Sequence, residues 1–150
     1  MTSSFSFYEY LKQTQEESNF IQDCVHLIES EVASKKGLSG MALKTAFKAI
    51  KKVKPSIIEG VVRFLLPQFA STFDSIYTQY KNTQFSTLED YFNQAQDQVT
   101  SALLSVTDQR ALKSSNAFLV KTYNKLRPLG EAHVKSALPQ LANVLQKYLP

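Results

Sequence analysis

Apolar residues recur along most of this chain at helical spacing. Ile21, Val25, Ile28 and Val32 form one stripe, with Phe20, Cys24 and Leu27 beside it, and Leu88, Phe92, Ala95, Val99, Ala102, Leu103 and Val106 form another. Residues three and four apart share a face of an α-helix, so a stripe of this period needs a helix to bury it. No segment alternates polar and β-branched apolar residues, as a half-buried strand would. The expectation is an all-α helical bundle of about seven to nine helices. At 150 residues and 43% hydrophobic, the chain is long enough for one domain with its own core, and disorder is excluded.

Prolines, glycines and capping residues set the expected breaks. A short helix is expected from Phe5 to about Lys12, then a polar stretch from Gln13 to Ser18, then a helix from about Asn19 to Lys35 with Gly37 in the C′ position. Ser39 is placed to cap a helix from Gly40 to about Lys54, where Pro55 stops it because the residue before proline is pushed out of the α region. Pro55 then opens a helix to about Leu66, and Pro67 opens another through Phe69, Ala70, Phe73, Ile76, Tyr77 and Tyr80. Lys81 to Phe85 reads as a loop. Ser86 and Glu89 make a capping-box pattern that starts a long helix to about Val106. Ser114 or Ser115 caps the next, which carries Phe118, Leu119, Tyr123 and Leu126 and ends at Arg127 before Pro128. The last helical stretch begins near Leu129 and is kinked or broken at Pro139.

The halves of the chain resemble each other. Lys48 to Pro55 (KAIKKVKP) answers to Lys121 to Pro128 (KTYNKLRP), and Leu66-Pro67-Gln68-Phe69-Ala70 answers to Leu138-Pro139-Gln140-Leu141-Ala142, with Phe73 matching Leu145. Between these, Glu59 with Arg63 and Glu131 with Lys135 are each a favourable i,i+4 pair. These matches in one order point to an internal duplication, with pseudo-symmetric halves at about 19–80 and 86–150. Two copies favour a closed bundle over an open solenoid, which usually needs three or more repeats.

Charge follows the same halving. Residues 1–34 carry a net −5, 35–63 carry +7, 64–108 carry −4 and 109–150 carry +6, which leaves +4 for the chain. Acidic helices packed beside basic ones would satisfy this pattern. The basic helix is also the sharpest candidate for an interaction. Leu43, Ala46, Phe47, Ile50 and Val53 share one stripe, and Lys44, Lys48, Lys51 and Lys52 lie together beside it. Such an amphipathic cationic helix suits an unidentified protein partner with an acidic surface, or anionic lipid. The alternative is a carrier of an apolar small molecule or lipid, held in a cavity between the halves lined by Phe64, Phe69, Phe73, Phe118 and Tyr123.

Signatures of chemistry are missing. The lone Cys24 excludes an intramolecular disulfide and a zinc site built on several cysteines, and its place in an apolar stripe makes it a buried structural thiol rather than a nucleophile. Cys24 and His26, at i,i+2, point to different sides of a helix, and His26 and His133 read as ordinary helix histidines. The acidic neighbours Glu16-Glu17, Glu89-Asp90 and Glu29 with Glu31 diverge on a helix and form no catalytic pair. No glycine-rich phosphate loop occurs; Gly37-Leu38-Ser39-Gly40 is a connection that could at most hold an anion beside Lys35, Lys36 and Lys44. Fourteen of the 17 basic residues are Lys, which attracts phosphate without the bidentate fork of base readout, so specific nucleic-acid recognition is not expected. No enzymatic activity, metal or cofactor is called for. The stretch Met1 to Glu9 lacks the basic and apolar regions of a secretory leader, and no segment is apolar enough to span a bilayer, so a cytoplasmic protein is expected.

The segment Glu31 to Gly40 (EVASKKGLSG), the lysine ladder after it and Leu65-Leu66-Pro67-Gln68-Phe69 together resemble a small all-α bacterial family of uncharacterised function, over about residues 25–80. The resemblance implies a small soluble bacterial protein and no particular activity.

Overall fold

The computed structural model describes residues 4–150; residues 1–3, part of the N-terminal stretch considered above, lie outside the described residues. Seven helices follow one another: α1 (Phe7–Gln13), α2 (Glu17–Ser34), α3 (Gly37–Val53), α4 (Ile57–Lys81), α5 (Leu88–Gln94), α6 (Gln96–Lys113) and α7 (Ala117–Lys147). No strand occurs among the described residues, and the all-α expectation is met.

Caps and breaks are set by short side chains and by proline. Ser6 accepts from the Glu9 amide at the start of α1, Thr87 from the Asp90 amide at the start of α5, and Asn116 from the Leu119 amide at the start of α7. The caps expected at Ser86 and at Ser114 or Ser115 therefore fall one or two residues early. Gly37 takes a φ of 77°, the left-handed conformation that lets the chain leave α2 and enter α3, and α3 begins there rather than after Ser39. Pro55 breaks the chain as expected, with Lys54 extended before it.

The other prolines do not break anything. Pro67 lies inside the 25 residues of α4, and Pro128 and Pro139 lie inside the 31 residues of α7, so the separate helices expected on either side of Pro67 and Pro128 are each continuous. Pro67 and Pro128 are exposed, as are Arg63 and Asn124 four residues before them, so water can serve the carbonyls that lose an amide partner; Pro55 and Lys51 are exposed likewise, so exposure alone does not set which proline ends a helix. Conversely, the single helix expected from Ser86 to Val106 is divided at Ala95, whose backbone (φ −107°, ψ 30°) separates α5 from α6.

The long helices run antiparallel. Gln98 donates to Gln79 at 2.9 Å and the Arg110 guanidinium lies 4.8 Å above the Phe64 ring, which sets α6 against α4. Lys135 reaches Asp97 at 2.6 Å and Arg127 reaches Asp108 at 2.8 Å, which makes α6 and α7 a helical hairpin. The second half of α7 lies along α2 through Lys147–Asp23 and Lys35–Ser136. In this register the α3–α4 turn (54–56) and the α6–α7 turn (114–116) come to the same end of the bundle.

The core gathers at the opposite end. Phe7 and Leu11 of α1, Phe20 and Ile21 of α2, Phe73 and Tyr77 of α4, Phe92 of α5 and Leu145 of α7 belong to one buried cluster. Phe7 stands edge-on to both Phe20 and Phe73, at 5.1 and 5.2 Å between ring centres. The positions matched between the halves are buried alike: Leu66 and Leu138, Ala70 and Ala142, Phe73 and Leu145. Both expected i,i+4 pairs form, Glu59–Arg63 at 3.8 Å and Glu131–Lys135 at 4.0 Å.

Candidate functional site

Helix α3 is the least embedded of the long helices. Gly40 is its only buried residue, because a Cβ there would stand 2.8 Å from the Lys35 carbonyl carbon; glycine is what lets α3 press against the end of α2. Leu43, Ala46, Phe47 and Ile50 are half-buried, whereas Val53, expected on the same stripe, is exposed.

Lys44, Lys48, Lys51 and Lys52 are all exposed. The structure brings three of them to one place. Lys44, Lys48 and Lys51 edge a groove of about 400 Å³ between α2 and α3, whose walls include Val32, Ala33, Met41, Thr45 and Phe47. Lys52 does not line it. Glu29, at the rim, holds Lys51 at 3.1 Å. Neither Lys44 nor Lys48 forms an ion pair among the described residues, so the groove is apolar inside and keeps two uncompensated cations at its edge. The α2 contribution, Glu29, Val32 and Ala33, was not legible as part of a site; its only signal was that Val32 belongs to an apolar stripe.

Elsewhere acidic and basic blocks neutralise each other, as the charge pattern suggested. Asp108 accepts two bonds from Arg127, at 2.8 and 3.1 Å, and one from the Tyr123 hydroxyl, itself 2.7 Å from the Thr107 hydroxyl. These bonds, Arg127 first, hold the Asp108 carboxyl below the ordinary range, and burial followed by the bond to Asp108 raises the Tyr123 phenol. Asp23 accepts from Tyr148 at 2.5 Å and from Lys147 at 2.9 Å and is likewise lowered. Both clusters tie helices together, and Lys147 and Tyr148 of the second also line an open cleft of about 320 Å³ with Tyr10, Thr14, Glu16 and Leu149.

The remaining candidates stand apart. Burial pushes the Cys24 thiol up to about 12, which removes the thiolate a nucleophile needs. His26 is exposed, and His133, half-buried beside Lys35, is lowered by burial and then by that charge. No group of three or more His, Cys, Asp or Glu that could hold a metal ion occurs among the described residues. The five aromatic residues expected around a central cavity are dispersed. Phe73 is in the core against Phe7, Phe64 lies exposed under Arg110, Tyr123 is bonded to Asp108, Phe118 is exposed near the α6–α7 turn, and Phe69 packs at the edge of the core.

Residues 7–149 match a family of unknown function (DUF6918). The chain belongs to that family. The match spans all seven helices of this DUF6918 member, well beyond the 25–80 over which the sequence showed a resemblance. No curated protein and no solved structure matches it. No helix among the described residues is long and apolar enough to cross a membrane.

Proposed function

We propose that this DUF6918 protein is a non-catalytic cytoplasmic interaction module, and that its α2–α3 groove receives an acidic segment of a partner protein carried on apolar anchors. The observation that carries this reading is the groove's composition. Phe47, Val32 and Met41 offer an apolar bed, while Lys44 and Lys48 stand at its edge without carboxylate partners among the described residues. An acidic amphipathic helix or strand would bury its apolar side chains there and set its carboxylates against the two lysines, which also steers encounter over distance.

Selection of displayed random peptides on the immobilised protein tests this directly. Binders are expected to combine acidic residues with large apolar ones. Their affinity should fall about tenfold or more when Lys44→Glu and Lys48→Glu are combined, the loss of roughly 1.4 kcal/mol or more. Peptides of any other composition, or acidic peptides indifferent to the double change, would refute the assignment of the groove.

A further inference from the structure

A second surface, separate from the groove, is marked by where the large apolar side chains are left uncovered. Val53 ends α3, Val61 and Phe64 lie in the first turns of α4, Leu112 is next to last in α6 and Phe118 is second in α7. All five are exposed, Phe64 by 62% and Leu112 by 88%. The antiparallel register of α4, α6 and α7 brings Phe64 beside Arg110 and places these helix ends around the α3–α4 and α6–α7 turns.

Charge at this end is nearly all of one sign. Residues 52–64 and 109–121 hold six bases and one acid. That acid, Glu59, is engaged by Arg63 and by the Gln22 amide, and the nearby Asp108 is engaged by Arg127. Lys52, Lys54, Lys113 and Lys121 are exposed and form no ion pair among the described residues. Arg110 lies over Phe64, so a cation and an apolar ring share one spot.

We propose that this end of the bundle docks on an anionic lipid bilayer. The apolar side chains would enter the boundary between headgroups and acyl chains, and the lysines and arginines would meet the anionic headgroups. A bilayer is favoured over a protein partner by the form of the surface. The five side chains project from four different helix ends as separate anchors. A bilayer accepts such anchors without a complementary shape, whereas a protein interface needs a contiguous packed patch. The surrounding cations match the negative surface potential of an anionic leaflet and can snorkel around inserted side chains.

Co-sedimentation of the full chain with vesicles separates the outcomes. With phosphatidylcholine alone little protein should pellet. With one-third phosphatidylglycerol at low salt most should pellet, and raising the salt should release it. Combining Phe64→Ser with Leu112→Ser, both exposed and so compatible with an intact far-UV spectrum, should lower the partition coefficient about tenfold or more, because each removes an inserted apolar side chain. Lys44→Glu with Lys48→Glu, in the groove, should weaken partition far less. No pelleting with phosphatidylglycerol at low salt overturns the proposal, as does pelleting that the Phe64 and Leu112 changes leave intact. If those changes instead convert a dimer to a monomer by native mass spectrometry without altering vesicle binding, the end is an interface between copies and the lipid assignment is wrong.

Discussion

The two ends of this bundle are made from the same kinds of residue and packed to different degrees. At one end α1, the start of α2, the second half of α4, α5 and the end of α7 bury Phe7, Phe20, Phe73, Phe92 and Leu145 almost completely. At the other, no residue from 26 to 57 is buried except Gly40, and none from 107 to 133, although both stretches hold many apolar side chains. Both basic blocks lie mainly in those loosely packed stretches. Lysine-rich helices cannot be sunk deep into a core without losing hydration, so they stay at the surface and leave their apolar stripes half-covered. One end is therefore tightly packed, and the other leaves apolar and cationic groups at the surface.

The largest effect should separate the ends outright. Phe73→Ala removes a ring that is buried against Phe7 and should cost about 3–5 kcal/mol in denaturant unfolding. Phe64→Ala, the same change at the exposed end, should stay within about 0.5 kcal/mol. Comparable costs would erase the distinction. Next come the glycines. Gly40→Ala forces a Cβ against the Lys35 carbonyl and should destabilise by about 1 kcal/mol or more despite alanine's better helix propensity. Gly60→Ala, inside α4 with nothing within 4 Å of the new methyl, should stabilise by about 0.5–1 kcal/mol. Melting curves of the two variants should shift in opposite directions.

Acid should loosen the helix contacts that ion pairs hold. Asp23 and Asp108 titrate below the ordinary carboxylate range in the fold, Asp23 through Tyr148 and then Lys147, Asp108 through Arg127 and then Tyr123. A depressed carboxylate contributes stability that is fully present above its unfolded pKa, about 4, and is lost as pH falls through the lower folded value. Asp74, raised by burial, works in the opposite sense, so the variants isolate the effect. The melting temperature should fall below about pH 4, and Asp23→Asn with Asp108→Asn should flatten that fall. The smallest effect belongs to Thr100, whose hydroxyl is buried at the packed end without a partner. Thr100→Val should gain up to about 1 kcal/mol by removing that unsatisfied group.

The helical class and most of the core were legible because both rest on local period. Ala70, Phe73, Ile76, Tyr77 and Tyr80 follow from the apolar spacing after Pro67, and all are buried. The prolines misled because whether a helix runs on through one depends on the packing of the residues around it, which is a tertiary fact. Pro55 breaks the chain and Pro67 and Pro128 do not, with nothing in their immediate neighbours to tell them apart. The lysines of α3 were legible as a cationic face, but the groove also needs Glu29, Val32 and Ala33 from α2, and only packing brings them there. Exposure of Phe64 and Leu112 was likewise illegible, since an apolar residue in an amphipathic helix reads as core until its neighbours are known. Leu66 and Leu138, and Ala70 and Ala142, are equally buried, but of the matched prolines Pro55 lies between two helices and Pro128 inside one.

Amide hydrogen exchange, followed residue by residue on the native protein, tests the division between the ends most directly. The account predicts that amides in the second half of α4 and the end of α7 exchange only through global unfolding. Those of α3 should exchange through local opening, orders of magnitude faster. Protection in α3 equal to that around Phe73 would contradict it, and with it the claim that the basic end is held loosely enough to serve as a binding face.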